Sequence, residues 1–128
     1  MPRTMKILVV DEFPTIRKIV KNLLGQLGFT NIDEAEDGRT ALSKLSQGGY
    51  EFVISDWDTP HMMGRELLAR IRADENLCRI PFLMLTAESQ RAPVAPLEDG
   101  PSQTLVRPFN AAALGEKLAV ILAQEPTC

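Results

Sequence analysis

An α/β domain with a doubly wound parallel sheet is the architecture this sequence predicts, and three observations predict it. Apolar runs of strand length alternate with segments whose apolar residues recur at helical spacing. The clearest runs are apolar throughout rather than at every second position, as in strands covered on both faces. Each run also stops at polar or charged residues, which gathers chemistry at one edge of the sheet.

The first strand is MKILVV, residues 5–10. It leads into a helix carrying Ile16, Ile19, Val20, Leu23, Leu24 and Leu27, which Gly28 ends. NIDEAED (31–37) is a weak second strand, with Ile32 and Ala35 its apolar members. Ala41, Leu42 and Leu45 share one face of the next helix, closed by Gly48 and Gly49. FVIS (52–55) is the third strand, and GRELLARIRADE (64–75) is a helix with Leu67, Leu68 and Ile71 inward. IPFLMLT (80–86) is the fourth strand, opened by a proline where a missing N–H matters least. Leu105 and Val106 make a short fifth strand, and a last helix covers 111–123 with Leu114, Leu118, Ile121 and Leu122 buried.

At 128 residues the chain is expected to be one domain, able to bury a core without disulfide or metal staples. A net charge of −3 with no Lys/Arg cluster argues against nucleic acid as a partner. No apolar run approaches the roughly 20 residues of a membrane span. MPRTMKILVVDEF is too short in its apolar part for a secretory signal. Cys78 and Cys128 match no metal spacing and are expected as reduced thiols in a cytoplasmic protein.

The strand ends carry Asp11-Glu12, Asp56-Trp57-Asp58, Thr86-Ala87-Glu88 and Arg107-Pro108. Carboxylates crowded together repel or protonate unless something positive sits among them. A hard cation with oxygen ligands resolves this, and Mg2+ suits a site with few protein carboxylates. A carboxylate beside such an ion can attack phosphorus. Thr86 could then hydrogen-bond a phosphoryl oxygen and Arg107 neutralise another.

Nearly the whole chain resembles the response-regulator receiver domains of bacterial two-component signalling, most closely the single-domain chemotaxis regulators. The likeness rests on ILVVDEFPTIRKIVKNLLGQLGF, on EAEDG and FVISDW, on LL with IRAD, and on TAE. It also rests on the offsets of Pro60 and Gly64 from Asp56, and on a basic residue before Pro108. The resemblance implies a flavodoxin-like (βα)5 fold with strand order 2-1-3-4-5. It implies Asp56 as phosphoacceptor, with Thr86 and Arg107 assisting. Glu12 would ligate Mg2+ directly, Asp11 through water, Asp56 by its carboxylate and Asp58 by its backbone carbonyl. Gly64 would permit the turn into the third helix. A histidine kinase would donate the phosphoryl group to this monomeric, non-enzymatic acceptor. Output would go by contact through residues 88–120, Lys117 among them, with the flagellar motor switch the partner the resemblance names.

Four departures qualify the likeness. Arg107 replaces the family's lysine, Glu12 stands for an aspartate, and Thr104 occupies the place of a switch aromatic. The expected fourth helix, 88–103, holds Pro93 and Pro96, and an interior proline costs about 3 kcal/mol or more. That helix is therefore expected to be short or irregular. Two alternatives follow: a degenerate receiver that binds partners without phosphorylation, or a haloacid-dehalogenase-type phosphatase using the same Asp-x-Asp. The second requires Thr or Val where Pro60 stands.

Overall fold

The computed structural model describes residues 3–59, 61–87 and 102–124. Its strands are β1 (Ile7–Val10), β2 (Ile32–Ala35), β3 (Phe52–Asp56), β4 (Phe82–Ala87) and β5 (Ser102–Arg107). All neighbouring pairs are parallel, in the order β2-β1-β3-β4-β5. Among the described residues the helices are α1 (Pro14–Gln26), α2 (Gly38–Ser46), α3 (Gly64–Ala73) and α4 (Ala111–Leu122).

Successive strand residues point to opposite faces, so each continuous apolar run divides into two sets. Ile7, Val9, Phe52, Ile54, Leu83 and Leu85 meet Val20 and Leu24 of α1 and Leu114, Leu118 and Ile121 of α4. Leu8, Val10, Val53, Phe82 and Met84 meet Ala41 and Leu45 of α2 and Leu67, Leu68 and Ile71 of α3. Each such side chain larger than alanine contributes roughly 1.5–3 kcal/mol on full burial. The sheet is therefore locked from both sides, and its strand ends are held rigidly.

Local chemistry sets the helix ends. Asp37 accepts the Thr40 N–H at 2.7 Å and caps α2, while Asn110 accepts the Ala113 N–H at 2.9 Å and caps α4. At the end of α1 the Gly28 N–H reaches the Gly25 carbonyl and the Phe29 N–H reaches the Leu24 carbonyl, both at 3.0 Å. That pair of bonds is a Schellman motif, and it needs the left-handed φ of 95° that Gly28 adopts.

Several boundaries differ from the sequence reading. β1 begins at Ile7, not residue 5, and β4 at Phe82, not residue 80. The Ile80 carbonyl is taken by Arg72 at 2.6 Å, which ties it to α3 instead of the ladder. β5 is six residues long and pairs with β4 from Phe82↔Ser102 to Ala87↔Arg107. Residues 102 and 103, expected as helix, are thus strand; residues 88–101 of the expected fourth helix, including Pro93 and Pro96, lie outside the described residues. Ile19 faces solvent at 48% exposure despite its helical spacing. Cys78 is disulfide-bonded, which corrects the expected reduced thiol. The chain's other cysteine, Cys128, lies outside the described residues. No helix among the described residues is long and apolar enough to cross a membrane.

Two glycines three residues apart test this description of α1. Gly25 is helical with open space around its position, so Gly25→Ala should stabilise the fold by about 0.5–1 kcal/mol. Gly28→Ala should destabilise it by about 1–2 kcal/mol through its left-handed backbone. Urea midpoints at unchanged slope would measure both, and shifts of the same sign would contradict the assignment of the helix end.

Candidate functional site

The two central strands end side by side, with Val10 opposite Ser55, so the residues that follow emerge together. Asp11 is 1% exposed and Asp56 5% exposed. Thr86, the next-to-last residue of β4, is also buried. Arg107 ends β5, beyond β4, and its guanidinium crosses the end of the sheet. One amine, Nη2, donates to Asp56 Oδ1 at 2.7 Å, and the other, Nη1, lies 3.7 Å from Asp11 Oδ2. The peptide from Arg107 to Pro108 is cis. Gly64, at the start of α3, packs under Asp56: a methyl there would stand 2.5 Å from the Asp56 carbonyl oxygen and 2.7 Å from Met84 Sδ. Its backbone is not left-handed, so close approach, not the expected freedom to turn, is what requires glycine.

Burial dominates the electrostatics. Asp56 is pushed up to about 6 because its charged form loses water; Arg107 opposes the rise and the Asp11 carboxylate adds to it. Asp11 is also raised by burial, against the Phe13 N–H, Arg107 and Arg17. Its oxygens have different surroundings: Oδ1 accepts the Phe13 N–H at 2.9 Å, while Oδ2 is buried with no hydrogen-bond partner among the described residues. Thr86 Oγ1 is buried and unpartnered in the same sense. Two unsatisfied buried oxygens beside Asp56 mark a place prepared for something absent from the fold itself.

Of the residues singled out from sequence, Asp11, Asp56 and Arg107 meet in one cluster, with Thr86 buried at the adjoining strand end. Glu12 and Asp58 have exposed side chains. Among the described residues no group of three or more His, Cys, Asp or Glu side chains is arranged to hold a metal ion. Two carboxylates with one orphaned oxygen do fit a hard cation that keeps most of its water, whereas the described residues form no all-protein cage. Sequence reasoning missed Arg17, whose Nη1 donates to the Asp11 backbone carbonyl at 2.7 Å. A basic residue one helical turn after the acidic pair was its only signal.

The raised Asp56 carboxyl sets a pH dependence. A folded-state value near 6 against 3.8 unfolded means the folded protein binds the extra proton, so this group adds stability as pH falls from 7.5 toward 4. At pH 7.5 its charge costs up to about 3 kcal/mol. Asp56→Asn, without divalent metal, should therefore be more stable than wild type at pH 7.5, with the difference shrinking toward pH 5. Urea denaturation across that range measures it, and a variant less stable at pH 7.5 would contradict the burial argument.

A family model described as the response regulator receiver domain matches residues 7–119. The chain is 51% identical over 117 residues to chemotaxis protein CheY-3 of Vibrio cholerae serotype O1, covering 91% of this chain and 90% of that protein. It is 48% identical over 118 residues to chemotaxis protein CheY of Pseudomonas aeruginosa, covering 91% and 95%. Among solved structures, response regulator TrrA of Thermotoga maritima in complex with Mg2+ and BeF is similar with a TM-score of 0.78 at 32% identity, covering 92% of this chain and 99% of that one. With the sheet order, the buried Asp56 and these matches together, the chain belongs to the response-regulator receiver domain family.

Proposed function

We propose that the chain is a single receiver unit of the cytoplasm, monomeric and acting in chemotaxis, that accepts a phosphoryl group on Asp56 from a histidine kinase phosphohistidine. The observation carrying this reading is the Asp56 carboxylate, 5% exposed and bonded to Arg107, beside Asp11 Oδ2 and Thr86 Oγ1, which have no hydrogen-bond partner among the described residues. The relatives' chemotaxis names support the process. Mg2+ would be held by Asp11, Glu12, the Asp56 carboxylate and the Asp58 carbonyl. When bound, it neutralises charge on the transferring phosphoryl oxygens.

The chain's own groups do the rest. With a value near 6, Asp56 is ionised at neutral pH, and its oxygen not bonded to Arg107 forms the new O–P bond. The P–N bond to the donor imidazole breaks, and that nitrogen recovers a proton. Arg107 holds the nucleophile in place and then meets a phosphoryl oxygen, and Thr86 donates its hydroxyl to another. The reaction is stoichiometric, so the chain is an acceptor in signalling. Output passes to a downstream protein, the flagellar motor switch being the proposed partner, through residues 88–120.

A second reading, a receiver that binds partners without phosphorylation, is favoured by one observation. The Arg107 guanidinium already spans both buried carboxylates. Mass spectrometry after acetyl phosphate and Mg2+ separates the two. Wild type and Asp58→Asn should each gain one phosphoryl group and Asp56→Asn none. Labelling of Asp56→Asn alone would overturn the acceptor assignment, and no labelling of wild type would establish the second reading.

Arg107 and Thr104 also bear on the response to phosphorylation. A modification shifts an equilibrium only by its differential contacts with the two states, and Thr104 offers no ring with two packed positions. Amide shifts on adding beryllofluoride and Mg2+ should be large at Asp11, Asp56 and Thr86 and small over residues 102–106. Arg107→Lys with Thr104→Tyr should enlarge the distal set. Wild-type shifts already spread across β5 and α4 would contradict this.

A further inference from the structure

Asp11 must present its oxygens to the pocket without help from a regular element, because Asp11 and Glu12 lie between the end of β1 and the start of α1. Three bonds fix Asp11. Its N–H donates to the Ala35 carbonyl at 3.1 Å, its Oδ1 accepts the Phe13 N–H, and its carbonyl accepts Arg17 Nη1 at 2.7 Å. The third bond comes from a side chain that is itself clamped. Arg17 Nε donates to Glu34 Oε1 at 2.9 Å, and Lys21 Nζ donates to Glu34 Oε2 at 3.1 Å. The Arg17 side chain is only 15% exposed. β2, the weakest strand in the sequence, thus supplies the anchor of a relay that runs from Glu34 through Arg17 to the Asp11–Glu12 peptide.

We propose that Arg17, anchored by Glu34, is a positioning residue of the receiver reaction: it fixes the Asp11–Glu12 peptide and so holds the buried Asp11 carboxylate toward a bound divalent cation. The inference rests on the phosphoacceptor reading given above. Arg17 touches neither the acceptor oxygen nor the transferring group in this role. It acts through the carbonyl it holds.

Charge alone makes the opposite prediction, which gives the test its power. A guanidinium near Asp11 repels a cation, so removing it for its field alone would tighten metal binding. Removing it as a clamp frees the peptide and weakens binding, by about tenfold if it matters as much as outer-sphere partners of metal ligands elsewhere. Lysine keeps the charge but cannot span two acceptors as the planar fork does.

Trp57 is the chain's one tryptophan, adjoins Asp56 and is partly buried, so its fluorescence is the probe chosen for Mg2+ binding. Mg2+ alone is titrated into wild type, Arg17→Ala, Arg17→Lys and Glu34→Gln, each with folding checked by circular dichroism. Arg17→Ala should weaken Mg2+ about tenfold, and Arg17→Lys and Glu34→Gln should weaken it in the same direction. In the Arg17→Ala background, Glu34→Gln should have no further effect, because its action passes through Arg17. Acetyl phosphate labelling at saturating Mg2+ should recover its wild-type maximal rate, the defect lying in the metal dependence. Tighter or unchanged binding in a folded Arg17→Ala or Arg17→Lys overturns the proposal while leaving the acceptor reading intact. If Arg17→Ala fails to fold, Arg17→Lys alone decides. A wild type indifferent to Mg2+ overturns the acceptor reading and this inference with it.

Discussion

Two carboxylates buried within reach of one guanidinium form the interaction on which the rest of this structure depends. Asp11 and Asp56 come from neighbouring strands, and Arg107 comes from a strand two places away, so all three positions are fixed by the sheet. The apolar layers on both faces exist, in this sense, to hold three charged groups where water would otherwise separate them. Burial raises both acids, and Arg107 limits that rise without abolishing it. The resting pocket is consequently a compromise between desolvation and pairing, with an oxygen of Asp11 left over. Such a compromise responds to added charge, because every new cation or phosphoryl oxygen redistributes the same few contacts.

Arginine in place of lysine alters that compromise in a specific way. A lysine ammonium is a compact point charge, whereas a planar fork engages two acceptors from separate nitrogens. Here the two amines of Arg107 approach different acids, 2.7 Å from Asp56 and 3.7 Å from Asp11. The nearer contact is a charge-assisted hydrogen bond and the farther one an electrostatic approach only. The residue is thereby biased toward the acceptor strand.

Much of this was legible in the sequence. Runs such as FVIS and ILVV announce buried strands, and Asp56 follows its strand with no break. The strand ends then brought Asp11, Asp56, Thr86 and Arg107 to one edge by topology alone. What stayed illegible has definite causes. Consecutive residues point in different directions, so Asp11 turned inward and Glu12 outward, though the pair reads as a unit. Ser102 and Gln103, expected as the end of a helix, begin β5, since an edge strand tolerates polar residues. A backbone carbonyl has no letter in the sequence, so the bond from Arg17 to Asp11 could not be read. Gly64 was recognised, but its reason lay in a neighbour twenty residues away, Met84, and in the Asp56 carbonyl.

β2 has a further consequence for the molecule in a crowded solution. It is an edge strand of four residues, paired among the described residues only with β1. Asp33 accepts bonds from Lys44 and Tyr50, and Glu34 from Arg17 and Lys21, so both of its charged side chains are engaged by elements flanking the strand. A foreign strand laid along that rim would find few rungs and would have to displace ion pairs. Short, charged edges of this kind resist sheet-to-sheet accretion, which leads to fibres. The same acidic residues that make β2 the faintest strand in the sequence therefore protect the protein from aggregating along it.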